Sequence, residues 1–143
     1  MAHFYGFKRL AKPEDWRSIA SAPDFVAKGD AGGVPMGGVL PKRPKDAAPA
    51  FAVRALSDPG TARHPGALLQ RIQIIKVWPG EAGAVEQRVF DVAGDPENGA
   101  TVDPASCEPK GPGARELCAV WRDPGFDPDQ PAAYYARVLE NPT

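Results

Sequence analysis

The residues of this chain that could carry chemistry are few and sit mostly in loop-like stretches. Cys107 and Cys118 are eleven residues apart, with Gly111, Pro112 and Gly113 between them. Such a stretch can bend enough to close a disulfide, worth about 3 kcal/mol on the loop-entropy estimate. Two free thiols are one alternative. Half of a zinc site is another, but it needs two further ligands, and only His3 and His64 are available. The expectation is a Cys107–Cys118 disulfide. Asp123, Asp127 and Asp129 cluster between two strand-like segments, and Asp91, Asp95, Glu97, Asn98 and Asp103 form a second acidic stretch. Hard cations want about six to eight oxygens. The calcium-loop pattern is absent, and aspartates before prolines serve as turn acceptors, so no metal is assigned.

Nucleophile and phosphate templates fail. None of Ser18, Ser21, Ser57 or Ser106 stands in a Gly-x-Ser-x-Gly elbow. Gly33 to Gly38 has the glycine spacing of a phosphate loop, but Val39 occupies the position of its lysine. No two carboxylates can be paired as acid and base, because nothing fixes their separation. No catalytic residue and no cofactor is expected. Trp16, Trp78 and Trp121 are the candidates for binding aromatics; the plainer reading makes them core, or covered by a neighbouring domain.

Composition fits one soluble domain. Of 143 residues, 43% are hydrophobic and 24% charged, with a formal net charge of −1, which gives no argument for nucleic acid or a membrane surface. The basic cluster Lys42, Arg43 and Lys45 is flanked by prolines and makes a poor phosphate track. With 17 prolines and 15 glycines, the chain is turn-rich without reaching low complexity. The longest apolar run, Ile72 to Trp78, is broken by Gln73 and Lys76. It is far from the ~20 residues that span a bilayer. Met1 to Gly6 lacks the features of a signal peptide, so an export signal is expected upstream if one is used.

The elements that must hold these residues are mostly strands. Five Asp-Pro pairs, at 58, 95, 103, 123 and 127, mark turns. Between them, Phe51–Leu56, Arg71–Trp78, Val85–Val92, Leu117–Trp121 and Tyr134–Leu139 carry strand signals. The second and third are expected to form a hairpin, and the last two a hairpin-like unit around Asp127-Pro128. An edge strand is expected near Val34-Pro35-Met36. One helix is expected over Pro13–Ala20, with proline and acidic residues in its first turn. The pattern predicts a mainly β fold: an immunoglobulin-like antiparallel β-sandwich with long Gly/Pro loops and one short N-terminal helix. Residues 1–33 read as a connecting segment and 34–143 as the sandwich. Asp129 with Tyr134 resembles a tyrosine corner displaced by one residue; the alternative is ordinary aromatics on a strand. The expected core is Phe51, Val53, Ile72, Ile74, Phe90, Val92, Val120, Trp121, Tyr134, Val138 and Leu139.

Several phrases together resemble a known family. They are Gly33-Val34-Pro35-Met36-Gly37-Gly38, Leu69 to Lys76, Val89 to Ala93, the two-cysteine stretch, and Ala119-Val120-Trp121 through Asp127-Pro128 to Tyr134–Pro142. In order and spacing they resemble the C-terminal region of the bacterial domain-of-unknown-function 3604 family. Members are several times longer. Their N-terminal part is similar to metal-dependent phosphoesterases of the polymerase-and-histidinol-phosphatase type, whose histidines and acidic residues bind metals in a distorted barrel. None of those barrel motifs occurs here, so no catalytic residue carries over. Two departures stand out: Val39 replaces an aspartate usual after the second Gly-Gly, and family chains usually continue past Asn-Pro. Both ends are therefore expected to be truncated, with Phe4–Phe7 a remnant of a strand leaving the barrel.

The resemblance implies a non-catalytic accessory domain of a metal-dependent hydrolase. Its expected partner is the barrel, against which it packs, covering one side of the active-site mouth or aiding homo-oligomerisation. Nucleic acid and membrane are not expected partners, and the parent protein is expected to be extracytoplasmic. The alternative is an independent module for carbohydrate or peptide.

Overall fold

Alternating apolar side chains need two faces to bury, and this chain supplies them as stacked sheets. The structure is a computed structural model and describes residues 1–7, 20–41 and 48–143. Its elements are β1 (Ala2–Phe7), α1 (Phe25–Gly32), β2 (Val34–Pro35), β3 (Ala50–Leu56), β4 (Leu69–Pro79), β5 (Val85–Gly94), β6 (Thr101–Val102), β7 (Pro109–Lys110), β8 (Glu116–Arg122) and β9 (Ala133–Glu140). One sheet has the order β2-β1-β3-β8 and the second β5-β4-β9; β6 and β7 form a small ribbon. All pairings are antiparallel. The fold is mainly β, and the two larger sheets form a sandwich. Strand order β1-β3-β8 over β5-β4-β9 is the immunoglobulin-like arrangement.

The core lies between the sheets. Phe4, Phe51, Val53 and Ala55 of the first pack against Leu69, Ile72 and Ile74 of the second. Phe51 is its hub, stacked on Phe4 at 5.4 Å and 4.5 Å from the Tyr134 ring. The other face of the first sheet is also covered. Tyr5, Phe7 and Ala52 pack there with Ala20 and Phe25, and Cys118 and Val120 adjoin them. Burial on both faces explains why β3 reads as a nearly continuous apolar run.

Of the expected core, Phe51, Val53, Ile72 and Ile74 are buried, and Val92, Trp121, Tyr134 and Val138 pack against them. Phe90 lies against Trp121, ring centroids 4.7 Å apart. Val120 instead serves the helix side. Leu139 shares its face of β9 with Tyr135 and Arg137, on the outside of the second sheet.

Three expectations are corrected, and one lies almost wholly outside the described residues. First, residues 1–33 are more than a connecting segment: β1 is an interior strand, paired with β3 over six residues and with β2 on its other side. Second, the helix expected at Pro13–Ala20 lies outside the described residues except for Ala20. A further stretch, Phe25–Gly32, is helical although its glycines give no helix signal in the sequence. Gly29 makes it possible, because a Cβ there would sit 2.5 Å from the Tyr5 ring. The helix can approach the sheet only through a residue without a side chain. Arg54 ties the preceding turn to the sheet, donating to the Ala22 carbonyl at 2.6 Å. Third, β8 and β9 do not form a hairpin. They lie in opposite sheets, with Trp121 and Tyr134 facing across the core at 6.4 Å. Fourth, Cys107 and Cys118 are free thiols. Cys107 sits in the exposed connection between β6 and β7 at φ 58, whereas Cys118 faces the helix side of β8. The Gly-Pro-Gly bend does not bring the two together.

Asn141 locks the last strand. Its N–H donates to Leu68 O at 2.8 Å, its side-chain amide donates to Pro112 O at 2.9 Å, and the Asn98 amide donates to its Oδ1 at 2.9 Å.

Candidate functional site

Two phrases almost a hundred residues apart converge on one cleft. Val34–Gly38, which follows α1 and pairs with β1 through β2, forms one wall, continued by Val39, Leu40 and Pro41. The loop Phe126–Ala132 between β8 and β9 forms the other. Phe4, Phe51 and Tyr134 make the floor. The volume is about 770 Å³, within the range of ligand and peptide clefts. The glycines read as a failed phosphate loop, and the aspartates read as a weak cation site, are thus two sides of one concavity. Met36 and Val39 stand at its rim, 56% and 88% exposed.

One wall is held by a buried ion pair. Lys76 Nζ donates to Asp123 Oδ2 at 2.6 Å and to the Gly125 carbonyl at 2.7 Å. The Tyr134 hydroxyl donates to the same Oδ2 at 2.7 Å, and Gly125 N–H donates to Asp123 Oδ1 at 2.9 Å. The Lys76 and Asp123 side chains are only 6% and 1% exposed. Lys76 also lies 5.3 Å from the Trp78 ring and 5.9 Å from that of Tyr134. Burial alone would raise the Asp123 carboxyl. Hydrogen bonds from Lys76, Tyr134 and Gly125 outweigh it and hold the group below the usual carboxylate range. The Tyr134 phenol is raised, first by burial and then by its bond to Asp123.

Amine, carboxylate and phenol in contact invite a proton-transfer reading. A general base must reach the proton it takes, and both carboxylate oxygens here are already engaged. The arrangement clamps the start of the β8–β9 loop to β4. Tyr134 is therefore no tyrosine corner toward Asp129; its partner is Asp123, eleven residues upstream. Sequence reading missed Lys76, taking it for a break in an apolar run. A lysine at an inward position of a central strand was the available signal.

The other expected site residues are dispersed. Trp121 belongs to the core, between Phe51 and Phe90. Trp78 is half-buried beside Lys76. Trp16, with Lys42, Arg43 and Lys45, lies outside the described residues. Asp127 accepts from the Asp129 N–H at 2.9 Å, as an aspartate in a turn does. His64 sits in an exposed loop, where its N–H bonds the Thr61 hydroxyl. Among the described residues, no three or more His, Cys, Asp or Glu side chains gather where they could hold a metal ion. The described residues do not fit the metal centre of a phosphoesterase barrel. No helix among the described residues is long and apolar enough to cross a membrane.

No curated protein matches this chain, and no solved structure does. Over residues 9–143, which include both walls of the cleft and the clamp beneath it, the sequence matches the family described as protein of unknown function (DUF3604), and the chain belongs to that family.

Proposed function

We propose that this chain is a non-catalytic accessory domain of a larger metal-dependent hydrolase, and that it packs through its cleft against a neighbouring catalytic barrel. The cleft is the observation that carries this reading. Its floor is aromatic, its rim exposes Met36 and Val39, and the charged residues lining it among those described are Asp127 and Asp129. Exposed apolar surface of this kind marks contacts with other proteins and ligand grooves. The resemblance of the chain to the end of a longer barrel-bearing protein supplies the partner. The alternative, an independent carbohydrate or peptide module built on tryptophans, has less support, because Trp121 is spent in the core and Trp78 is engaged by Lys76.

Calorimetric titration of this protein with a separately expressed barrel from a full-length family member tests the proposal. Association is expected, and it should be lost in Met36→Asp/Val39→Asp with unchanged melting. No association of the unmodified chain would overturn the reading. Elemental analysis is the second arm. Stoichiometric zinc, manganese or iron, with phosphoesterase turnover that disappears on chelation, would make the chain an enzyme in its own right.

A further inference from the structure

The two sides of the sandwich are closed differently. On one side β5 and β8 lie together, with Phe90 against Trp121. On the other side lies the cleft, bordered by β9. That strand has β4 on one flank and, among the described residues, no strand on the other. The immunoglobulin-like order ordinarily carries a further strand there.

The free flank is a row of hydrogen-bonding groups. Backbone groups alternate in direction along an antiparallel strand. Asn141 N–H points to β4, where it meets Leu68 O. By alternation, the N–H and C=O of Tyr134, Ala136, Val138 and Glu140 point to the free edge. Tyr134, Ala136 and Val138 also turn their side chains to the core, yet stay half-buried. A second hollow of about 240 Å³, bordered by Ala2, Leu69 and Val138, lies at the far end of β9. Open space therefore borders both ends of the strand.

The other edge of this sheet is guarded. β5 carries Glu86 and Arg88 on the same side as core-facing Phe90, and its pairing with β4 shifts register at Ile72/Gln73. Inward charges and bulges are devices that stop strand addition. β9 is less guarded: Tyr134, Ala136 and Val138 are uncharged, and the one charge on that side, Glu140, and the one register shift, between Leu69 and Arg71, both fall at its last residues.

We infer that the free edge of β9 receives an added β-strand from a protein partner. The segment is extended, with small or β-branched apolar residues at alternate positions that complete the core beside Ala136 and Val138. A lysine or arginine stands at the end that meets Asp127 and Asp129. Main-chain bonds supply affinity and the alternate side chains supply selectivity, as in strand addition generally. The inference deepens the accessory-domain reading and rests on it for the source of the strand.

The test uses the 143-residue protein and a displayed library of roughly nine-residue segments, long enough to span β9. Selected peptides are made synthetically. They should show alternating apolar residues with a terminal base, and should protect the Tyr134, Ala136 and Val138 amides from hydrogen exchange. N-methylation of the peptide amides that pair with β9 should weaken binding by about tenfold or more while leaving the protein intact. Selected peptides that leave these amides exchanging freely, or tolerate N-methylation, would overturn the inference. So would failure to select any binder. Concentration-dependent dimerisation that protects the same amides without peptide would assign the edge to a second copy instead. Peptide protection without barrel association retains the strand and removes the accessory reading; barrel association without β9 protection does the reverse.

Discussion

Lys76 shows how one buried polar residue sets the shape of a surface feature. Its ammonium is out of water, so its partners must satisfy it, and they do so by drawing Asp123 and Gly125 down to β4. Removing one partner strands the other. Lys76→Met or Asp123→Ala should each cost about 3–5 kcal/mol in urea unfolding, and Tyr134→Phe about 1–2 kcal/mol. The double variant Lys76→Met/Asp123→Leu should recover much of the loss, because an apolar pair of similar volume leaves no orphan charge. If the single and double variants are equally unstable, the clamp is not the cause. The pH dependence follows from the same contacts. Asp123 titrates lower folded than unfolded, so its contribution is complete above about pH 4 and is lost as pH falls through the folded value. Tyr134 titrates higher folded, so its contribution is complete below about pH 10 and fades only as pH rises through the folded value. Melting temperature should therefore be flat between these limits, and Asp123→Asn should lower the plateau and make the acid limb shallower. An acid limb of unchanged steepness would place the responsible carboxylate elsewhere.

At the scale of elements, the strands were legible because alternation reports a half-buried sheet. Phe51–Leu56, Arg71–Trp78, Val85–Val92, Leu117–Trp121 and Tyr134–Leu139 each fall within an observed strand. What alternation does not report is which sheet a strand joins. The segments around Asp127-Pro128 read as one hairpin but separate into two sheets, because β8 pairs with β3 and β9 with β4, long-range partners that leave no local signature. α1 was illegible for a different reason. Gly29 is poor for helix propensity and good for close packing, and only the packed structure shows which effect wins. Gly29→Ala should raise intrinsic helicity yet destabilise the protein by about 1–3 kcal/mol, since the new methyl meets the Tyr5 ring. Chemical denaturation checks this, and a stabilised variant would mean that the helix can slide off the sheet at no cost. The cysteine pair went astray in the same way. Spacing allows a bridge, but side-chain direction decides, and Cys118 points to the helix side of β8. Thiol titration of the native protein should find both cysteines free, with Cys107 reacting first because it is exposed. Failure to label either would restore the disulfide.

For the whole molecule, the cleft was legible only in part. Its two walls are the phrases on which the family resemblance rests most specifically, but nothing in either phrase says that they meet. Their convergence comes from sheet order, which places β1 and β2 on the same side of the sandwich as β9. That order also predicts how stability is distributed. β4 is central in its sheet, and its Ile72, Ile74 and Ile75 are fully buried, so their amides should exchange only on global unfolding. β9 is held on one flank, and among the described residues its edge-facing amides at Tyr134, Ala136 and Val138 have no strand to pair with. In the isolated protein these three should exchange orders of magnitude faster than Ile74, while Tyr135 and Arg137, directed at β4, stay protected. This odd–even contrast along a single strand separates an open edge from a frayed one, since fraying would expose both sets alike. If all five amides match Ile74, something already covers the flank. A dilution series would then decide between self-association, where protection falls with concentration, and cover from within the chain, where it does not.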